Sequence, residues 1–520
     1  MDTLLPSRRH LLQKVSTLLF GLLLAAGVAA DTGAREAARQ HRDGNGHRIL
    51  TTYAELLRLP NVASDREGIR RNVEFIRSEL EDRGVKVAVW EVAGSSPLIY
   101  GELDAPESES RRTLGIYAHY DGQPVVPERW STPGPWKPTL YTAALESGGE
   151  PRPFPTADEE IDSEWRIYAR SSGDDKAPIM AILAALDALE SAGIPRTADL
   201  RFLFDGEEEI GSPHLEELMR THTEQLSGID GWLICDGPVH QSRRPQLVFG
   251  VRGYTGLDLT VYGATRYLHS GHYGNWAPNP ALELAHLLAE LKDPEGRVKV
   301  GGFYESTRAP GPAERRALDA LPEVDSDLRR ELGLSRTEGD GGSLAERLLL
   351  PSLNIRGMES GKVGDAARNV IPPTATASLD IRLVKGNDPA RMLDRVEDHL
   401  RRQGYRILRD EPTLAQRLEH PKLVRVDRRE GYPAARTPMD TPFSGWVVKV
   451  TRSAVEDPLV LLPTLGGSLP LYLFDRILGQ PLVVVPIANH DDNQHAPDEN
   501  LRLANLWYGI DLMADFFAAE

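Results

Sequence analysis

Cysteine is almost absent: Cys235 is the only one in 520 residues. No intrachain disulfide can form, and no cluster of thiolates can hold zinc. Cys235 closes the apolar run "GWLIC" and reads as a buried small hydrophobe. Long basic runs are also missing and the formal charge is −17, which argues against nucleic acid as a partner. No Gly-x-Ser-x-Gly elbow follows a strand-like run, so serine hydrolase chemistry is disfavoured. There is no internal repeat. The most apolar stretch, "VSTLLFGLLLAAGVAA", is too short and too lopsided for a stable spanning helix.

That stretch has another reading. It follows the basic segment "SRRHLLQK" and ends in small residues, the pattern of a secretory signal cleaved after Ala30. The pair Arg8-Arg9 after Ser7 also resembles a twin-arginine export signal. The expectation is an exported bacterial protein, periplasmic or secreted, with no membrane attachment after cleavage. Removing residues 1–30 takes away a net +2 and leaves −19.

Apolar content of 40% and charged content of 26% are those of a globular chain long enough for two domains. From 31 to 252, buried strand-like runs ("RTLGIYAHYDG", "LRFLFDGEEE", "GWLICDG") alternate with amphipathic stretches. In "APIMAILAALDALESAG", Ile179, Ile182, Leu183 and Leu186 share one helical face and Gly193 follows the end. This rhythm predicts an α/β catalytic domain with a mainly parallel sheet flanked by helices. It returns over 438–520. Between them, 253–437 reads as strand, helix, two strands, helix, strand: an inserted α+β, ferredoxin-like lid and dimerisation domain. Residues 303–345, rich in Gly, Pro and charge, read as a loop or short-helix excursion.

The unusual acids and histidines fall just after the strand-like runs of the α/β part. His119 and Asp121 end "LGIYAHYDG", Asp174 and Asp175 precede the long helix, Glu208 and Glu209 end "RFLFDGEE", and Asp236 ends "GWLICDG". His490, Asp491, Asp492 and His495 follow "LVVVPIAN". In an open α/β sheet the crevice beyond the carboxyl ends of the strands is where ligands bind. Taken alone, each acid is weak evidence: Asp236 reads better as a cap or turn residue and His119 as a satisfied core histidine. Together they form a nitrogen–oxygen donor set suited to zinc or manganese, with enough acids for two ions and a shared carboxylate.

The motifs "HYDGQPV", "SGDDK", "EEIGS", "LICDG", "YLHSGHYGN", "RNVIP" and "NQHAPDEN" occur in that order. They resemble the dizinc exopeptidases that include carnosinase-like dipeptidases, glutamate carboxypeptidase and aminoacylase, with the dipeptidase branch nearest. The likeness runs from about residue 50 to 518. It implies two Zn2+ per subunit, with Mn2+ or Co2+ as substitutes. His119 and Asp236 would bind one ion, Glu209 and His495 the other, and Asp174 would bridge them. Glu208 would be the general base, and Asp121 would orient His119. Glu207 and Asp205 are left structural or solvent-facing. His269 would stabilise the oxyanion of a partner subunit's site in a homodimer formed through the lid, and Asn369 would contact substrate there. Arg382 would grip the substrate carboxylate, beside Gly467 and Ser468.

The implied activity is zinc-dependent hydrolysis of dipeptides or short peptides. Carboxypeptidase or N-acyl-amino-acid deacylase activity is the alternative, and a non-catalytic zinc-bound binding protein a remote one. His490 competes with His495 as a ligand, although "HAPDEN" aligns the latter. The stretch of about 135–166, which lengthens the His119-to-Asp174 spacing, is expected to overhang the site.

Overall fold

The computed structural model describes residues 32–106, 112–339 and 341–520. The leader expectation for 1–30 lies outside them. Two sheets organise the chain. The larger has eight strands, and its four central ones run parallel in the order Ala198–Asp205, Arg112–His119, Gly231–Ile234, Leu482–Val484. Antiparallel pairing extends it to Leu98–Leu103 and Lys86–Trp90 on one side and to Gln246–Val248 on the other, with Val460–Leu462 on the outside.

Side-chain alternation puts a core on each face of this sheet. Leu114, Ile116 and Ala118 join the cluster under the helices Thr32–Leu57, Lys176–Ala192 and Leu503–Ala518, while Tyr117 points to the opposite cluster with Trp232 and Phe474. The helix Lys176–Ala192 is buried almost all round because it lies between the sheet and two further helices, and Gly193 ends it at φ 64°. A single apolar face in the sequence therefore understated its burial.

The strands of the second sheet all lie between residues 253 and 432. Gly253–Tyr262 is flanked by Thr374–Leu383 and Leu423–Tyr432, both antiparallel, with Ser352–Glu359 beyond Thr374–Leu383. That is the ferredoxin-like order. A short fifth strand, Arg406–Leu408, adds to the edge in parallel and was not legible in the sequence. Helices Pro280–Ala289 and Pro389–Arg402 cover one face through Leu284, Leu288, Met392, Val396 and Leu400. Along Thr374–Leu383 burial alternates strictly, so Asp380 and Arg382 stand on the face opposite those helices.

The two parts of the α/β body meet where the chain leaves and re-enters it. Gly250–Val251 pairs with Ala435–Arg436, and a Cβ on Gly250 would lie 2.5 Å from the Ala435 carbonyl oxygen, so this crossing requires glycine. Residues 303–345 contain the short helices Pro312–Asp319 and Asp325–Glu331, as expected of that excursion.

The stretch 135–166, expected to overhang the site, packs on the α/β body. Ile161 meets Gly46 of the first helix, Phe154 packs on the helical core, and Tyr168 and Leu140 sit in a four-stranded sheet closed by Asn500–Arg502. The apolar side chains of the stretch draw it onto the body, where their burial is favourable. Among the described residues no helix is long and apolar enough to cross a membrane.

Candidate metal centre

The four central parallel strands deliver their acids and histidines to one edge. His119 is the last residue of its strand, and Asp121 lies two positions on. Asp205 ends the neighbouring strand and leads into the single turn Glu208–Ile210. Asp236 follows Gly231–Ile234 by two residues, and Asp174 lies two before the helix at Lys176. The loop after Leu482–Val484 brings His495, whose backbone is left-handed at φ 63°; Asn493 and Asp498 share that conformation at 58° and 60°. Such backbone in non-glycine residues costs free energy and is typical of functional loops.

Two groups of possible ligands result. In one, donor atoms of His119, Asp174 and Asp236 lie within 4.8 Å of one another; in the other, those of Asp174, Glu209 and His495 do. Asp174 belongs to both. Its Oδ1 is 2.9 Å from His119 Nε2, and its Oδ2 is 3.0 Å from His495 Nε2. Glu209 Oε2 lies 3.1 Å from His495 Nε2, and Glu208 Oε2 lies 3.9 Å from His119 Nε2. Among the described residues no Lys or Arg pairs with Asp174, Glu208, Glu209 or Asp236. Lys176, the nearest ammonium in sequence, donates instead to the Leu56 and Leu59 carbonyls. A buried carboxylate cluster with two imidazoles and no Lys or Arg partner fits one or two metal ions.

Surrounding residues set this geometry. The buried Asp121 carboxylate accepts the Glu208 and Glu209 backbone N–H groups at 3.0 and 3.1 Å, and its Oδ1 is 3.3 Å from His119 Nδ1. One carboxylate thus holds a histidine and the acidic turn in a common frame. Glu499, unread in the sequence although it lies inside "HAPDEN", accepts N–H groups from Ser171, Gly173 and Asp174 and pairs with Arg170. Gln494 donates to Asp174 Oδ2 and Gln123 to Glu209 Oε2. Asp205 and Glu207 are buried and structural. Asp205 accepts from Tyr117 and Ser212, while Glu207 accepts the Ser96 N–H and pairs with His214. His490 stands apart beside Asp491 and belongs to neither ligand group.

Arg382, Ser468 and Gly467 come together. Arg382 Nη1 donates to Ser468 Oγ at 2.8 Å, and Arg252 N–H donates to the Gly467 carbonyl at 3.0 Å. Tyr432, which sequence reasoning missed, stacks on Tyr472 at 5.6 Å, and burial, then the Glu208 charge, push its hydroxyl up to about 12. Only folding brings these positions together, and no local pattern marks them. His269 and Asn369 lie elsewhere. Both are exposed, and they are joined by the ladder of Leu268–His269 with Val370–Ile371 and by the Ser270 N–H to the Asn369 carbonyl. No hydrogen bond or ion pair among the described residues links either to the acid cluster.

Burial, then the neighbouring acids, push Glu208 well above the ordinary carboxylate range and Asp236 up to about 7. Burial and Glu499 push Asp492 up to about 8. Burial acts the same way on Asp174, but His119 and His495 outweigh it and hold Asp174 below its usual range. Hydrogen bonds with Asp174 and Glu209 raise His495 to about 10.

The family model described as "Peptidase family M20/M25/M40" matches residues 115–519. The chain belongs to that family. Within M20 it is 25% identical over 487 residues to a Cys-Gly metallodipeptidase of Schizosaccharomyces pombe, covering 90% of this chain and 94% of that one. It is 26% identical over 480 residues to a human Beta-Ala-His dipeptidase, covering 89% and 84%. Among solved structures, an M20 family metallo-carboxypeptidase from Sulfolobus solfataricus superposes with a TM-score of 0.73 at 26% identity, covering 90% of this chain and 98% of that one. The catalytic body with an inserted lid is the M20 fold, and the metal dependence of M20 metallopeptidases accords with the two ligand groups.

The raised groups set a pH dependence. Asp236 and Asp492 are protonated in the folded, metal-free protein at pH values where the unfolded chain has lost those protons. Their stabilisation is complete below the ordinary carboxylate value and is lost as pH rises through about 7 and about 8. His495 acts in the same sense between its ordinary value and about 10. The melting temperature of the metal-free protein should therefore fall from about pH 5 to about pH 9. The metal-loaded form should show a shallower slope, because metal binding displaces the protons. Calorimetry of both forms checks this, and a metal-free melting temperature that rises over that window contradicts it.

Proposed function

We propose that the chain is a zinc-dependent metallopeptidase that cleaves dipeptides and other short peptides bearing a free carboxyl terminus. The observation that carries this reading is the pair of ligand groups sharing Asp174, with Glu208 at their side. His119 and Asp236 would hold one ion, Glu209 and His495 a second, and Asp174 both. The donor set suits two Zn2+, with Mn2+ or Co2+ as substitutes. Ions bound in this way lower the pKa of water and polarise a carbonyl.

The chain's own residues supply the proton handling and the grip on substrate. Glu208 is largely buried and held by its backbone N–H on Asp121, so its carboxylate is oriented without being neutralised by a salt bridge to Lys or Arg. It takes the proton of the attacking water and later delivers it to the leaving amine. Arg382, oriented by Ser468, offers a guanidinium to the substrate's carboxylate. Two relatives whose names specify Cys-Gly and Beta-Ala-His dipeptides support a short, unblocked substrate. The carboxypeptidase in the structural comparison supports the second reading, cleavage of longer chains from the carboxyl end.

The exposure of His269 and Asn369 supports a role outside their own subunit. In this reading two lids pack together, and each His269 completes the partner's oxyanion site while Asn369 meets the partner's substrate. The basic and then apolar pattern of residues 1–30 supports export to the periplasm or beyond.

Glu208→Gln should keep metal and fold but lose about 10²–10⁴-fold in turnover, whereas Asp174→Ala should lose metal. Metal analysis of the two purified variants reads this directly. An empty Glu208→Gln with a full Asp174→Ala would reverse the roles.

Substrate choice is tested with a dipeptide, its C-terminal amide, a pentapeptide and an N-acetyl amino acid. The amide should be slower by at least about tenfold, roughly 1.4 kcal/mol. Equal rates on acid and amide remove Arg382 from recognition. A preference for the pentapeptide favours the carboxypeptidase reading, and a preference for the N-acetyl substrate the deacylase.

Mixing inactive Glu208→Gln with inactive His269→Ala subunits should restore part of the activity, since one site of a mixed dimer has both residues intact. No recovery after verified subunit exchange rejects action in the partner's site.

A further inference from the structure

We infer that Asn61 is a positioning residue for the metal centre, tying the loop that carries His119 and Asp121 to the loop that carries Asp174. The inference rests on the metallopeptidase reading. Asn61 lies in the turn after the first helix and is completely buried. Its Nδ2 donates to the Tyr120 carbonyl at 2.7 Å and to Ser171 Oγ at 2.9 Å, while its own carbonyl accepts the Gly122 N–H at 2.9 Å. Tyr120 sits between His119 and Asp121, and Ser171 precedes Asp174 by three residues. One side-chain amide therefore spans both metal-bearing loops.

The junction leaves no slack. A Cβ on Gly122 would lie 2.4 Å from Ser171 Oγ and 3.1 Å from Asn61 Oδ1. Ser171 holds a left-handed backbone at φ 62°, so its side chain is aimed by a conformation that the surrounding contacts must maintain. The same stretch adds two more ties: Tyr53 donates to the Ser172 carbonyl, and Lys176 Nζ reaches the Leu56 and Leu59 carbonyls. A brace from the amino-terminal segment, remote in sequence from every candidate ligand, thus fixes the spacing between His119 and Asp174. Metal affinity is sensitive to groups that orient ligands, and losing one typically costs about 10–100-fold.

Asn72 provides the control for a merely structural role. It is also buried, and its Nδ2 donates to the Pro60 and Gly68 carbonyls beside the same turn, without touching either metal-bearing loop. Zinc-loaded wild type, Asn61→Ala and Asn72→Ala are titrated with a chelator. Released zinc, melting temperature and peptide kinetics are then measured. Asn61→Ala should release zinc at a chelator concentration at least about tenfold lower, with kcat reduced and KM little changed. Asn72→Ala should lose thermal stability while keeping wild-type zinc retention. Wild-type retention in Asn61→Ala, or an equal loss in Asn72→Ala, overturns the inference. If Asn61→Ala does not fold, Gly122→Ala forces the same spacing apart and should also lower zinc retention; unchanged retention there overturns it too. A wild-type protein that holds no zinc overturns the metal reading itself and this inference with it.

Discussion

Asp174, Asp236, Glu208 and Glu209 crowd together in a largely buried space, and among the described residues two imidazoles are the basic groups that share it with them. Carboxylates so placed raise one another's affinity for protons. The cluster is tolerable only if protons or cations neutralise it. Much of the surrounding structure serves that constraint. Asp121 and Glu499 spend their lone pairs on backbone N–H groups of the ligand loops, and Arg170 neutralises Glu499 from behind. Lys176 turns away to the end of the first helix. Among the described residues the fold thus keeps Lys and Arg out of the centre and leaves the two histidines as the only partners of opposite charge short of a metal.

The parallel sheet explains how residues so far apart in sequence meet. Parallel neighbours end at the same edge, so the residue after each strand arrives beside the residue after the next. His119 against Asp205 in register, and the loops after Ile234 and Val484, follow from this geometry. The second sheet has a different task. Its strict alternation over Thr374–Leu383 buries five side chains under two helices and leaves Arg382 on the other face, where Ser468 of the α/β body can reach it. The candidate metal ligands therefore come from the α/β body, and Arg382, which the proposed function assigns to the substrate carboxylate, comes from the second sheet.

Local pattern alone determined a good deal. Period-two and period-3.6 apolar spacing marked the two kinds of domain, Gly193 marked a helix end, and the placement of His119, Asp174, Glu209, Asp236 and His495 just beyond strand-like runs pointed to one edge of one sheet. Division of labour between Glu208 and Glu209 was not legible from spacing; it came from resemblance to a family. In the structure the two differ in what they approach: Glu209 faces His495 and Glu208 faces His119.

Tertiary structure decided the rest. Asn61, Tyr432 and Arg252 carry no motif of their own, and Glu499 sits in one without its role being marked, since their partners lie tens to hundreds of residues away. The stretch around 135–166 reads only as added length between His119 and Asp174, and its packing through Phe154 and Ile161 on the body has no local signal. Asp205 and Glu207 looked as much like surface acids as like buried ones, and hydrogen bonds from Tyr117, Ser212 and Ser96 put them inside. The physical reason is the same in each case. A sequence displays periodicity and chemical type, which are local, whereas burial and hydrogen-bond partnership depend on which distant segments the folded chain brings within a few ångströms.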